Sequence, residues 1–239
     1  MTSSQSTFLS NGCGRVEVSR CGRNLSFAFP ETRPGDYLEV AEKLQSKGLR
    51  GPTFAETSLL VSQAFSSGED PSFDGLLKAM RERWLWTNTA VLYWPGEGVY
   101  IQDDPKPSPD GTTLREDPFP RGLWMDRNQL RERLESGDPE VRYVPLGYEV
   151  GFLEPGRLSG NALLQGLCGD SEIARGLAEA AGGLGGNPCL SAFEEVDRPY
   201  LKVAMMGMDL HGERLEICVK GFDVGPNGNG MCAFGILET

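Results

Sequence analysis

The sequence predicts an α+β fold, with helices packed on antiparallel hairpins and a meander, in mixed order and with no doubly wound pattern. Three features carry this prediction. Two alternating segments each fold back through a turn, a block of capped helices lies between them, and a run of strands surrounds His211-Gly212. Runs of helices and runs of strands, without strand–helix alternation, are what α+β proteins show.

Val16-Glu17-Val18-Ser19 and Asn24-Leu25-Ser26-Phe27-Ala28-Phe29 alternate on either side of Arg20-Cys21-Gly22-Arg23. A four-residue loop sets Val18 opposite Leu25 and Val16 opposite Phe27 on one face, a consistent hairpin register. Three helices follow. Asp36, with Glu39 three residues on, opens the first, which ends at Gly48; Thr53 and Glu56 open the second, with Phe54, Val61 and Phe65 on its apolar face. The third starts after Asp70-Pro71 and turns Phe73, Leu76, Leu77 and Met80 inward. In each, an oxygen-bearing side chain stands where the first helical N–H groups lack partners.

Segment 84–103 is rich in aromatic residues. As an extended strand it places Trp84, Trp86, Asn88, Ala90, Leu92 and Trp94 on one face, and Leu85, Thr87, Thr89, Val91 and Tyr93 on the other. Pro95-Gly96-Glu97-Gly98 turns the chain. Pairing Trp94 with Val99 then sets Leu92 opposite Ile101 and Tyr93 opposite Tyr100. Both faces are largely apolar, so the hairpin belongs in the middle of a core.

Segment 104–122 holds five prolines (Pro105, Pro107, Pro109, Pro118 and Pro120) and reads as a long exposed loop, a linker or lid. A helix over 126–135, a strand over 141–144 and helices over 159–168 and 171–181 follow. Strands 201–210 and 213–224 flank a two-residue turn at His211-Gly212, setting Met208 against Leu215, Met206 against Ile217 and Asp209 against Arg214. The loop 225–230 leads to a third meander strand, 231–237, with Phe234 and Ile236 on its apolar side. The organisation is then an N-terminal α+β unit, 11–103, the proline-rich loop, 104–122, and a C-terminal α+β unit with the meander, 123–239. The two units are equally consistent with one continuous domain.

Composition narrows the function classes. The 239 residues hold 34 acids against 23 bases, a formal net charge of −11. A nucleic-acid partner recognised through its phosphates is disfavoured, as is an anionic membrane surface. The start carries no basic and apolar leader, and the longest uncharged windows, 180–193 and 224–237, are too short to span a bilayer. A soluble, cytoplasmic protein with reduced thiols is the expectation.

Motifs for familiar chemistries are missing. His211, the single histidine, falls in a turn. Cys13, Cys21, Cys168, Cys189, Cys218 and Cys232 show no zinc spacing, so no metal site is expected. Cys218 faces away from the apolar side of its sheet, and Cys21, between two arginines, is a plausible reactive thiol. The glycine-rich stretches 182–187 and 225–230 sit after a helix and between strands, the wrong context for a phosphate loop. Arg127 and Arg131 share a helix face and suit a carboxylate or phosphate grip, though Glu132 and Glu135 dilute the charge. No motif calls for a cofactor.

Two readings result. The favoured one is a binding or protein-interaction module whose partner is a protein or a small-molecule ligand, with homo-oligomers allowed. Its contact residues are Tyr93, Trp94, Tyr100 and Asp104, with Tyr93 and Trp94 exposed in the monomer. The alternative is a transferase or hydrolase acting on a small polar substrate, with or without Mg²⁺. It requires Asp103, Glu149, Glu154 and Arg157 to converge on one pocket.

Overall fold

The computed structural model describes residues 6–8, 14–20, 22–29, 31–68, 70–105, 123–209, 211–220 and 231–237. Cys13, Cys21, most of the proline-rich loop and the loop 225–230 lie outside these residues.

A three-stranded antiparallel sheet, β1 (Ser6–Phe8), β2 (Gly14–Arg20) and β3 (Arg23–Phe29), opens the chain. Val18 faces Leu25 and Val16 faces Phe27 as the sequence predicts, but pairing runs on to Arg20 opposite Arg23. The connection is therefore two residues rather than four.

Helix α1 (Tyr37–Gln45) begins where the Glu39 N–H donates to the Asp36 carboxylate at 2.9 Å. Helix α2 (Phe54–Ser66) opens on a reciprocal cap: the Glu56 N–H donates to Thr53 Oγ1, and the Thr53 N–H to Glu56 Oε2. Its small and apolar side chains are buried from Phe54 through Ala64, so it is an interior helix rather than a surface one. A single 3₁₀ turn, Pro71–Phe73, leads into α3 (Asp74–Glu82), with Phe73, Leu76 and Met80 buried.

The main sheet has seven strands. In chain order they are β4 (Leu85–Trp94), β5 (Gly98–Asp103), β6 (Val141–Pro145), β7 (Gly151–Phe152), β8 (Cys189–Ser191), β9 (Tyr200–Met208) and β10 (Leu215–Cys218). Their spatial order is β6-β5-β4-β9-β10-β8-β7, antiparallel throughout except for the parallel pair β10–β8. Strands from both sides of the proline-rich loop thus interleave in one sheet. Four helices complete the element order: α4 (Arg127–Glu135), α5 (Pro155–Ser159), α6 (Ala162–Cys168) and α7 (Ser171–Gly182).

Both faces of the sheet are covered. Leu85, Val91, Tyr93, Val99, Ile101, Met206 and Ile217 point into a large core with α2, α3 and α5–α7. Trp84, Trp86, Ala90, Leu92, Tyr100, Val203 and Met205 point the other way, into a second core closed by α1 and α4. The strict alternation along β4 is what a strand buried on two sides requires.

Four expectations need correction. The β4–β5 hairpin is shifted by one residue: Trp94 faces Gly98, Tyr93 faces Val99 and Leu92 faces Tyr100. Its connection is the three residues Pro95–Glu97, and Gly98 is already in the strand. A Cβ there would stand 2.3 Å from the Val144 carbonyl oxygen on β6, so only glycine fits. The expected helix 159–168 starts later, at Ala162: Ser159 ends a separate helix, α5, and Asn161 caps α6 by accepting from the Leu163 and Leu164 N–H groups. The β9–β10 register is as expected, and Asp209 meets Arg214 at 3.4 Å, but β9 ends at Met208 and β10 runs only from Leu215 to Cys218. Finally, 231–237 is not a third meander strand: Met231 bridges to Gly35, Cys232 to Leu85, and Ile236 to Phe27 and Arg50. The edge of β10 where such a strand would sit is taken by β8.

Candidate functional site

The ladder between β4 and β9 breaks after Trp86 opposite Met205 and resumes at Ala90 opposite Val203. Thr87, Asn88 and Thr89 fill the irregularity, and each takes a separate role. The Thr87 hydroxyl donates to the Ala204 carbonyl at 2.6 Å, satisfying an acceptor beside the gap. The Asn88 backbone turns outward: its N–H donates to Pro52 O at 2.6 Å, and its carbonyl accepts from the Asp104 N–H at 2.9 Å. Thr89 Oγ1 accepts from the Phe54 N–H at 2.9 Å and donates to Asp103 Oδ1 at 2.5 Å. One irregularity in β4 therefore fixes the start of α2 and the end of β5, as bulges beside functional sites commonly do.

The Asn88 side chain looks into the space so created. Its Oδ1 accepts from the Tyr37 hydroxyl at 2.6 Å, and its Nδ2 donates to Asp104 Oδ1 at 3.0 Å. Asp104 sits at φ +48°, the single non-glycine residue with positive φ among those described. Aspartate tolerates that region better than most residues, and such conformations gather at functional sites. Burial first, and the charge of Asp104 second, push the Tyr37 phenol well above its ordinary pKa, so it remains a donor.

Around this polar chain lies a cavity of about 350 Å³, walled by Tyr37, Leu38, Leu44, Leu49, Trp86, Leu123 and Ala233. Trp86 meets Tyr37 edge to face at 5.8 Å and donates its indole N–H to Gly35 O at 3.3 Å, which fixes both rings. Arg50, on the rim, is engaged by Glu56 through two bonds of 2.7 Å. Burial opposes the Glu56 charge, but the bonds from Arg50 and Thr53 outweigh it and hold its carboxyl below the usual range.

Of the residues singled out from sequence, Asp104 alone lines this cavity. Its neighbour Asp103 turns elsewhere, to Arg142 at 2.7 Å and to Thr89. Glu149 pairs with Arg157 on the surface, and Glu154 is exposed at the start of α5. The expected convergence of Asp103, Glu149, Glu154 and Arg157 is not found. Tyr93 has no exposed surface and donates to Val219 O at 3.0 Å, so it is not the exposed contact residue the sequence suggested. Tyr100 is buried as well, and Trp94 is half-buried beneath the Arg127 guanidinium, 5.0 Å from its ring. His211 is an exposed turn residue.

Burial pushes the Cys168 and Cys232 thiols up to about 12. Cys218 does face away from the first core, but into the second, where it is buried. Among the described residues no cluster of three or more His, Cys, Asp or Glu is placed to hold a metal ion. No helix among them is long and apolar enough to cross a membrane.

Tyr37, Trp86 and Asn88 were not singled out from sequence. The available signal was Asn88, an amide within an otherwise apolar and aromatic face, since a buried amide must find partners.

No family model and no curated protein matches this sequence. One solved structure does resemble it, from work on massive sequence variation in Nanoarchaeota accommodated by the C-type lectin fold. It aligns with a TM-score of 0.53 over 83% of this chain and 93% of the other, at 15% identity. The likeness is one of fold. At that identity it carries no site residue across, and the cavity stands on its own geometry.

Proposed function

We propose that the protein is a binding module that holds a small, largely apolar molecule in the Tyr37–Trp86–Leu123 cavity. Asn88 and Asp104 read a hydrogen-bonding group at its polar end. The observation that carries this reading is the Tyr37–Asn88–Asp104 chain: oriented polar groups at one end of an apolar cavity, held by a strand irregularity and a positive-φ residue. Cavities of small-molecule sites start near 300 Å³, so the ligand is compact.

The fold neighbour is described as accommodating massive sequence variation, and a fold of that kind leaves room for a site particular to this chain. In this reading the protein acts in the cytoplasm, its acidic charge turning away nucleic acids and anionic lipid. The carboxylate–arginine enzyme is the weaker reading, because Asp103 is engaged by Arg142, while Glu149 and Arg157 pair with each other on the surface.

The test is amide chemical-shift mapping of the full chain against a library of compact aromatic and alicyclic probes. A true ligand shifts the amides of Gly51, Asn88 and Asp104, and Leu38→Trp, which fills the cavity, removes the response. Probes that move only amides elsewhere, or none at all, would overturn the proposal.

A further inference from the structure

We infer that a second site, independent of the first, lies between α4 and the β5–β6 pair, and that it takes an aromatic zwitterion with the chemistry of a free aromatic amino acid. The groove measures about 370 Å³ and is lined by Glu97, Tyr100, Arg131, Leu134, Glu135 and Tyr143. It sits at the turn end of the β4–β5 hairpin, whereas the first cavity sits at the strand irregularity. Along β4, Asn88 and Trp94 are separated by roughly 20 Å at ~3.3 Å per residue.

The aromatic wall is fixed in place. Tyr100 and Tyr143 are direct partners across the β5–β6 ladder, with ring centroids 5.0 Å apart and planes at 51°. The Tyr100 hydroxyl donates to Glu97 Oε2 at 3.0 Å and the Tyr143 hydroxyl to Glu97 O at 2.9 Å, so neither ring swings freely. Tyr143 is nonetheless 38% exposed, leaving surface for a planar group.

Two of the nearby charges are already committed. Both Glu97 carboxylate oxygens accept from Arg127, one of them also from Tyr100, and Arg127 stacks on Trp94. Arg131 and Glu135 are different. They stand one turn apart on α4, the spacing at which opposite charges normally pair, yet among the described residues neither has a hydrogen-bond or ion-pair partner. Arg131 faces the wall: burial raises the Tyr100 phenol, and the Arg131 charge pulls against that rise.

An unpaired guanidinium, an unpaired carboxylate and an exposed phenol ring on one groove complement three groups of one ligand. Its carboxylate meets Arg131 in the bidentate geometry that arginine favours, its ammonium meets Glu135, and its ring lies on Tyr143.

Isothermal titration of the full chain with L-phenylalanine tests this directly. Wild type binds saturably, and Arg131→Ala weakens binding by about tenfold, the loss of one charge-assisted contact. Glu135→Gln weakens L-phenylalanine but leaves 3-phenylpropionate, which lacks the ammonium, unchanged, and Tyr143→Ser weakens both. These side chains are exposed, and circular dichroism checks that each variant is folded. Absent saturable binding, or affinity indifferent to Arg131→Ala, overturns the inference. Binding abolished by Leu38→Trp also overturns it, since the ligand would then occupy the first cavity.

Discussion

The phenol of Tyr37 donates to Asn88 Oδ1 at 2.6 Å, tying the first turn of α1 to the strand irregularity in β4. Both groups are partly or wholly removed from water, so neither can lose the other cheaply. Asn88→Ala strands the Tyr37 hydroxyl and is expected to cost about 1–3 kcal/mol, with Tyr37→Phe nearer 1 kcal/mol. The double variant falls short of the sum by on the order of 1 kcal/mol in urea denaturation. Strict additivity would mean that the bond is not formed in solution.

The Asp103–Arg142 pair joins β5 to β6 and, through Thr89, to the first turn of α2. Arg142→Met leaves a mostly buried carboxylate held by the Thr89 hydroxyl. The expected loss is about 2 kcal/mol, below that of a fully buried pair because both side chains keep some exposure. Asp103→Asn with Arg142→Met recovers part of that loss in thermal unfolding.

Glu56 sets part of the acid limit of the fold. Its carboxyl is held below the ordinary range, so its contribution is fully present above the unfolded-state pKa and is lost as pH falls through the folded value. Glu56→Gln is therefore less stable than wild type near pH 7, and the gap narrows between roughly pH 5 and 3. Parallel stability curves across that window would contradict the assignment.

The thiols differ in reactivity for a physical reason. Burial raises Cys168 and Cys232 to about 12, whereas Cys189 is raised but half-buried at the sheet. Of these three, iodoacetamide at pH 8 is expected to modify Cys189 first in the native protein, and Cys168 and Cys232 only once denaturant is added. Peptide mass mapping after timed quenching reads the order.

Gly96 and Gly98 make a matched pair of tests. Gly98→Ala drives a methyl into the Val144 carbonyl and is expected to cost about 2–3 kcal/mol. Gly96→Ala meets open space and carries only the strain of φ +69°, about 1 kcal/mol. Thermal melts that rank them the other way would mean that β6 yields at that point.

Local signals were legible where chemistry and geometry act over a few residues. Asp36 and Thr53 cap the helices that the sequence assigns to them, and the first hairpin register follows from side-chain alternation. The two-sided burial of β4 was legible for the same reason. What escaped depends on partners distant in sequence. The hairpin slip at Trp94 is decided by β6 crowding Gly98, and the fate of 231–237 by β8 occupying the edge of β10. Likewise, Asp104 stood out beside its loop, but its partner Asn88 lies in β4 and is shared with Tyr37 of α1, and no spacing rule links the three.

The bridges made by residues 231–237 bear on how the chain reaches its fold in time. The Ala233 N–H donates to Thr32 Oγ1 across 201 residues, and Ile236 bridges to both Phe27 and Arg50. A chain emerging vectorially can close its first hairpin and cap α1 and α2 early, yet it cannot seal them together until these late residues arrive. Loop closure over such separations slows folding and lengthens exposure of the aromatic strand β4. Nascent chains stalled before residue 231 should therefore remain protease-sensitive and chaperone-bound, and release of the last segment should convert them in a single slow phase.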